Sequence, residues 1–188
     1  MTTLLSHSTT DANQFRAFDE LRRRFPTWGA VREAPVEEVE DAVRVAGLAN
    51  QKAPRVQRAL EVAAADPRGA DLEWLGEVPL EEAMEFLTAI PGVGPKTAAC
   101  VLCFSFDRPV IPADTHVHRI ALRTHVVPPG SSAIRAQERL TRFIEPERNF
   151  QTHMLLIRHG REVCDARSPA CEGCPLLPLC PEGRARTR

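Results

Sequence analysis

Apolar side chains recur at three- and four-residue spacing along almost all of this 188-residue chain, and runs of alternating β-branched residues are missing. The first pattern lays an apolar stripe along a helix. The second is what a half-buried strand needs, so the chain is confined to a nearly all-helical fold. The longest wholly apolar stretch, Ala98 to Phe104, has seven residues, far short of a membrane span. No positively charged segment precedes an apolar run at the N-terminus, so neither a membrane protein nor a secretory signal is expected. With 43% hydrophobic and 26% charged side chains, disorder is excluded as well.

The boundaries of the helices follow from their caps and breakers. Asp11 is placed to cap a helix that turns Phe15, Phe18 and Leu21 inward and ends before Pro26. Another enters at Pro35, runs through Val36, Val39, Val43 and Val45, and leaves at Gly47. Asn50 begins a third, through Val56, Leu60 and Ala63, halted by Asp66-Pro67. Pro79 opens a fourth with Leu80, Ala83, Met84 and Leu87 inward. Further helices are expected over 95–104, 115–125, 131–144 and 150–159. Trp28, Trp74 and the eight Phe stand mostly at helical spacing, which points to core packing and away from base stacking.

A formal net charge of −1 argues at first against a nucleic-acid partner, but residues 1–90 carry −6 and residues 91–188 carry +5. The C-terminal half could face a polyanion, or Arg135, Arg139 and Arg142 could be a solvated helix face. Only Lys52 and Lys96 among the 24 basic residues are lysine. Arginine stays protonated and cannot act as an amine nucleophile, so imine chemistry has two candidates. Lys52, in Asn-Gln-Lys-Ala-Pro, reads as a solvated charge.

Residues 87–104 read as a helix end, a tight Pro-Gly-Val-Gly turn and a second helix opening at Pro95. Gly92 and Gly94 permit backbone conformations closed to other residues and allow close approach. The turn is either an ordinary helix–helix connection or an anion site, in which free N–H groups and the positive helix end grip a phosphate of any sequence. Lys96 lies in the first turn of that second helix. There the dipole disfavours a cation, and a less protonated amine is the better nucleophile; a surface lysine touching phosphate is the simpler alternative. Eighteen residues further on, Asp114 stands at the N-cap of the helix holding His116, His118 and Arg119, either as a plain cap or as a fixed carboxylate. His116 and His118, two apart, point to different sides and make a poor metal pair.

The chain ends in Cys164, Cys171, Cys174 and Cys180, four thiols within 17 residues. In a reducing cytosol such a loop is organised by metal more readily than by disulfides. The spacing alone leaves structural zinc and an iron–sulfur centre open. Cys100 and Cys103, on an apolar helix, are core residues.

Ile-Pro-Gly-Val-Gly-Pro-Lys-Thr-Ala followed by Ala-Asp-Thr-His-Val-His-Arg-Ile strongly resembles the endonuclease III branch of the helix-hairpin-helix DNA glycosylases. The likeness extends from Leu-Leu-Ser-His-Ser-Thr-Thr-Asp and Gly-Leu-Ala-Asn-Gln-Lys-Ala to Cys180. It implies an all-α, two-lobed glycosylase fold lacking the family's first helices. Residues 1–109 would form a helical barrel domain containing the hairpin at about 87–104, and residues 110–188 a cluster domain with its loop over 164–180. It implies Lys96 as the attacking amine and Asp114 as the essential aspartate, with Gly92, Val93, Gly94, Thr97 and His116 on DNA. It also implies a [4Fe–4S] cluster on Cys164, Cys171, Cys174 and Cys180. Relatives commonly place Gln where Ser8 stands; the shorter Ser fills the space of a flipped base less well, with His7 a substitute and Leu48 the wedge. The function so implied is a bifunctional glycosylase and abasic-site lyase of base excision repair. It would act in the cytoplasm at the nucleoid, as a monomer, on duplex DNA holding an oxidised pyrimidine or an abasic site. The alternative is a non-catalytic hairpin DNA-binding protein with a structural metal site.

Overall fold

The computed structural model describes residues 1–188 as eleven α-helices joined by turns, with no strand. The chain divides into two compact units, Met1–Ala98 and Ala99–Arg188. The division falls inside a helix, ahead of the 109/110 boundary expected from the resemblance.

The first unit contains α1 (Thr2–Leu5), α2 (Asp11–Arg24), α3 (Trp28–Glu33), α4 (Val36–Val43), α5 (Ala49–Ala65), α6 (Leu80–Ala89) and the start of α7 (Pro95–Ser105). Thr10, not Asp11, caps α2: its hydroxyl accepts from the Asn13 N–H at 3.3 Å. Asp11 then adds a favourable negative charge in the first turn. The buried face of α2 is set by Ala17 and Leu21. Phe15 lies off that face and is 56% exposed, contrary to the inward placement expected of it. Helix α3 was not foreseen. Its six residues are too few to show a period, and its signal is the Thr27 hydroxyl accepting from the Ala30 N–H. Helix α4 ends at Val43 and tightens into a 3₁₀ turn over Arg44–Ala46 before Gly47.

Lys52 corrects the sequence reading most sharply, because it is 2% exposed and not a solvated charge. It shares the inner face of α5 with Val56, Leu60 and Ala63. Burial is tolerated because its ammonium donates to the carbonyls of Leu5, at 2.9 Å, and Ala46, at 2.7 Å.

The second unit holds α8 (Thr115–Arg123), α9 (Ala133–Phe143), α10 (Asn149–Glu162) and α11 (Pro181–Arg186). Ile111, Ala113, Val117, Ala121, Val127, Ala136 and Leu140 form its core. Helix α10 packs closely on α8 because residue 160 is glycine; a Cβ there would stand 2.6 Å from the His116 Cβ. Several aromatics expected inside are exposed, Phe143 above all. Phe104 and Phe150, also exposed, shield each other edge to face at 5.5 Å. No helix is long and apolar enough to cross a membrane.

Burial separates two apolar residues of similar hydrophobicity. Leu21→Ala, at a site with no exposure, should lower the urea-unfolding free energy by about 2–5 kcal/mol. Phe143→Ala should change it by less than about 0.5 kcal/mol.

Candidate active site and cysteine centre

In the first unit the hairpin places Lys96 by backbone geometry. After α6 the Val93 N–H closes the turn onto the Ile90 carbonyl at 3.0 Å, and the Ala98 N–H donates to Gly94 O at 2.9 Å to start α7. Gly92 has φ +86, a conformation that demands glycine; a Cβ there would also meet the Arg55 Cδ at 2.8 Å, a contact that the flexible arginine side chain can relieve by moving. Gly94 has no such φ, and a Cβ would meet nothing within 4 Å. The freedom expected of both glycines is used by Gly92 alone, and Gly94 keeps the turn open outward. The Val93 side chain is buried and its N–H is engaged in the turn, which leaves the amides of Gly92 and Gly94 outside that bond.

Lys96, half-buried, is the second residue of α7. Its neighbour Thr97 is buried, with its hydroxyl 3.0 Å from His7 Nε2. Burial, and then the cations of Lys96, Arg55 and Lys52, depress the His7 pKa, which favours the neutral imidazole at neutral pH. Ser8 and Leu48, the other wedge and plug candidates, both hold left-handed backbone, with φ of 53 and 51. These are conformations a side chain adopts only when its surroundings enforce them. Leu48 is 48% exposed.

In the second unit Asp114 caps α8. Its Oδ1 accepts from the His116 N–H at 2.9 Å and the Val117 N–H at 2.8 Å, which leaves Oδ2 outside the cap. The residues before it are held by side chains from two helices. The Ile111 N–H donates to Thr141 Oγ1 and the Ala113 N–H to Gln137 Oε1, while His153, 1% exposed, bonds the Pro112 carbonyl through Nδ1 at 2.9 Å. A carboxylate so supported keeps one direction. His116 Nδ1 meets Arg119 Nη2 at 3.0 Å, whereas His118 Nε2 meets the Ser131 carbonyl at 2.7 Å. The two imidazoles have separate partners, as their spacing predicts.

Cys164, Cys171, Cys174 and Cys180 line one cavity with Ile120, Arg123, His159 and Leu177. Two arginines of α8 tie this loop down: Arg119, to which its place beside His116 and His118 gives no evident role, and Arg123, one helical turn further on. Arg119 donates to the carbonyls of Cys164, at 2.9 Å, and Gly160, at 2.8 Å. Arg123 donates to Cys164 Sγ at 3.2 Å and to the carbonyls of Asp165 and Ala166. The Gly183 N–H donates to Cys180 Sγ at 3.2 Å. Cys100 and Cys103 are buried in α7, as expected of core thiols.

Residues 1–146 match the HhH-GPD superfamily base excision DNA repair protein family. The chain belongs to that superfamily. It is 34% identical over 184 residues to endonuclease III of Bacillus subtilis (strain 168), covering 98% of this chain and 80% of the relative. It is 35% identical over 177 residues to endonuclease III of Escherichia coli (strain K12), covering 94% and 79%. A longer Arabidopsis thaliana relative, 34% identical, is spanned over 62% of its length. Among solved structures, a trapped endonuclease III–DNA covalent intermediate superposes with a TM-score of 0.83 at 34% identity, covering all of this chain and 84% of that one. The all-α glycosylase fold and the resemblance to the endonuclease III branch are thereby established, and the protein is a base excision DNA glycosylase.

Burial pushes the Cys103 thiol up to about 11, with Cys100 and Asp107 adding to the effect. Its thiolate is then about one part in a thousand at pH 8. Native protein treated with iodoacetamide at pH 8 should show Cys103 unmodified by mass spectrometry, and modified once unfolded. Native alkylation at the rate of a free thiol would refute the buried placement.

Proposed function

We propose that the chain is a bifunctional DNA glycosylase and abasic-site lyase that excises oxidised pyrimidines and nicks the strand through an imine at Lys96. The observation that carries this reading is a primary amine in the first turn of α7, behind a turn whose Gly94 is open outward. The likeness to endonuclease III, including a trapped covalent intermediate with DNA, supports it. The Gly92 and Gly94 amides receive a phosphate at the positive end of α7, with Val93 fixing the turn from inside. Thr97 acts through His7, and His116 contributes from the first turn of α8.

The target base is extruded because its sugar carbon is inaccessible in the stack. Leu48 is the wedge, and His7 and Ser8 border the space left behind. Asp114 assists departure of the base; Lys96 Nζ, as the neutral amine, bonds to C1′ as the glycosidic C–N bond breaks, and one amine proton passes to the departing base. The sugar ring opens to a protonated imine, which acidifies the 2′ hydrogen. Loss of that proton breaks the C3′–O bond, and water then releases the amine.

Cys164, Cys171, Cys174 and Cys180 would hold a [4Fe–4S] cluster. The donor set fits: four thiols line one cavity, with the Arg123 guanidinium on Cys164 Sγ to offset negative charge. When bound, the cluster supplies metal–sulfur links that fix the loop.

Borohydride added during turnover should trap the enzyme on DNA as a covalent adduct at Lys96, and Lys96→Gln should abolish it. An undiminished adduct from that variant assigns the chemistry elsewhere, and a protein that binds an abasic duplex without nicking it is a binding module. Asp114→Asn keeps a good capping side chain, so folding should persist while single-turnover excision falls by about a hundredfold or more. Wild-type turnover in that variant would reduce Asp114 to a cap.

A further inference from the structure

Lys52 is buried and has no part in the reaction above, yet it holds the two places from which the turns around the extruded base depart. Its first acceptor, Leu5, is the last residue of α1, and the chain continues through Ser6, His7 and Ser8. Its second, Ala46, closes the 3₁₀ turn, and the chain continues through Gly47 and Leu48. Each turn holds one of the left-handed residues, Ser8 and Leu48, so each needs a fixed start to keep a strained course. The first turn reaches the hairpin through His7 and Thr97, next to Lys96. The second presents the exposed apolar Leu48, a residue type suited to wedging between bases. Two charge-assisted bonds from one ammonium set where both begin.

We propose that Lys52 is a positioning residue: through the Leu5 and Ala46 carbonyls it fixes the Ser6–Ser8 and Gly47–Leu48 turns in the arrangement that holds a target base out of the stack. This rests on the glycosylase reading above. Lys52 forms no bond to substrate and passes no proton.

The test compares wild type, Lys52→Met and Lys52→Arg on two duplexes, one with an oxidised pyrimidine and one with a preformed abasic site. Single-turnover rates are measured at saturating enzyme, and 2-aminopurine beside the lesion reports unstacking. The abasic duplex has no base to hold out, so the two substrates separate positioning from imine chemistry. Lys52→Met should slow excision by about tenfold or more and abasic nicking by less than about threefold, with the unstacking signal lost. Lys52→Arg, whose guanidinium N–H groups can serve both carbonyls, should recover the signal and most of the excision rate. If Lys52→Met does not fold, Lys52→Gln, which retains a donor for one carbonyl, should show the same split. An excision-to-nicking ratio equal to wild type in the folded variant overturns the proposal. Absence of wild-type activity on both duplexes overturns the glycosylase reading instead.

Discussion

The left-handed backbone of Gly92, with φ +86, is the constraint on which the position of Lys96 depends, because a side chain there is strained whatever space surrounds it. It sets the path of the turn, the turn sets where α7 begins, and the start of α7 sets where Lys96 stands. The amine therefore owes its place to backbone sterics more than to bonds of its own. Arg55, whose side chain lies against Gly92, comes from α5, the same helix whose Lys52 holds the starts of the Ser6–Ser8 and Gly47–Leu48 turns.

In the second unit α8 carries a comparable load. Asp114 closes its N-terminus, while Arg119 and Arg123 further along bind the loop of Cys164. The cysteine loop and the aspartate are thus attached to one rigid rod, and the thiols would act on the reaction through the stability of that rod. The backbone before Asp114, held by Thr141, Gln137 and His153, is supported from α9 and α10 as well.

Much of this was legible in the sequence because proline, glycine and capping residues punctuate it. Pro35, Gly47, Pro79 and Pro95 stand at helix ends in the structure, as their chemistry demands. The hairpin, the cap at Asp114 and the four-thiol loop were readable from spacing for the same reason. What escaped depends on contacts distant along the chain. Lys52 looked solvated because no local pattern reveals that Leu5, 47 residues away, brings it a carbonyl. Thr10 and Asp11 are both good caps, and only the backbone conformation chooses between them. Gly92 and Gly94 look equivalent as letters, and just one of them needs to lack a side chain.

Position 160 shows how little latitude such a scaffold leaves. A single methyl group there collides with the imidazole of His116, and the helix would answer by sliding outward as a body. The same helix carries His153, whose grip on Pro112 precedes the aspartate by two residues, so the displacement would be transmitted as a change in the carboxylate's aim. Sequence drift at that spot is therefore closed by geometry, although the residue itself bears no functional group.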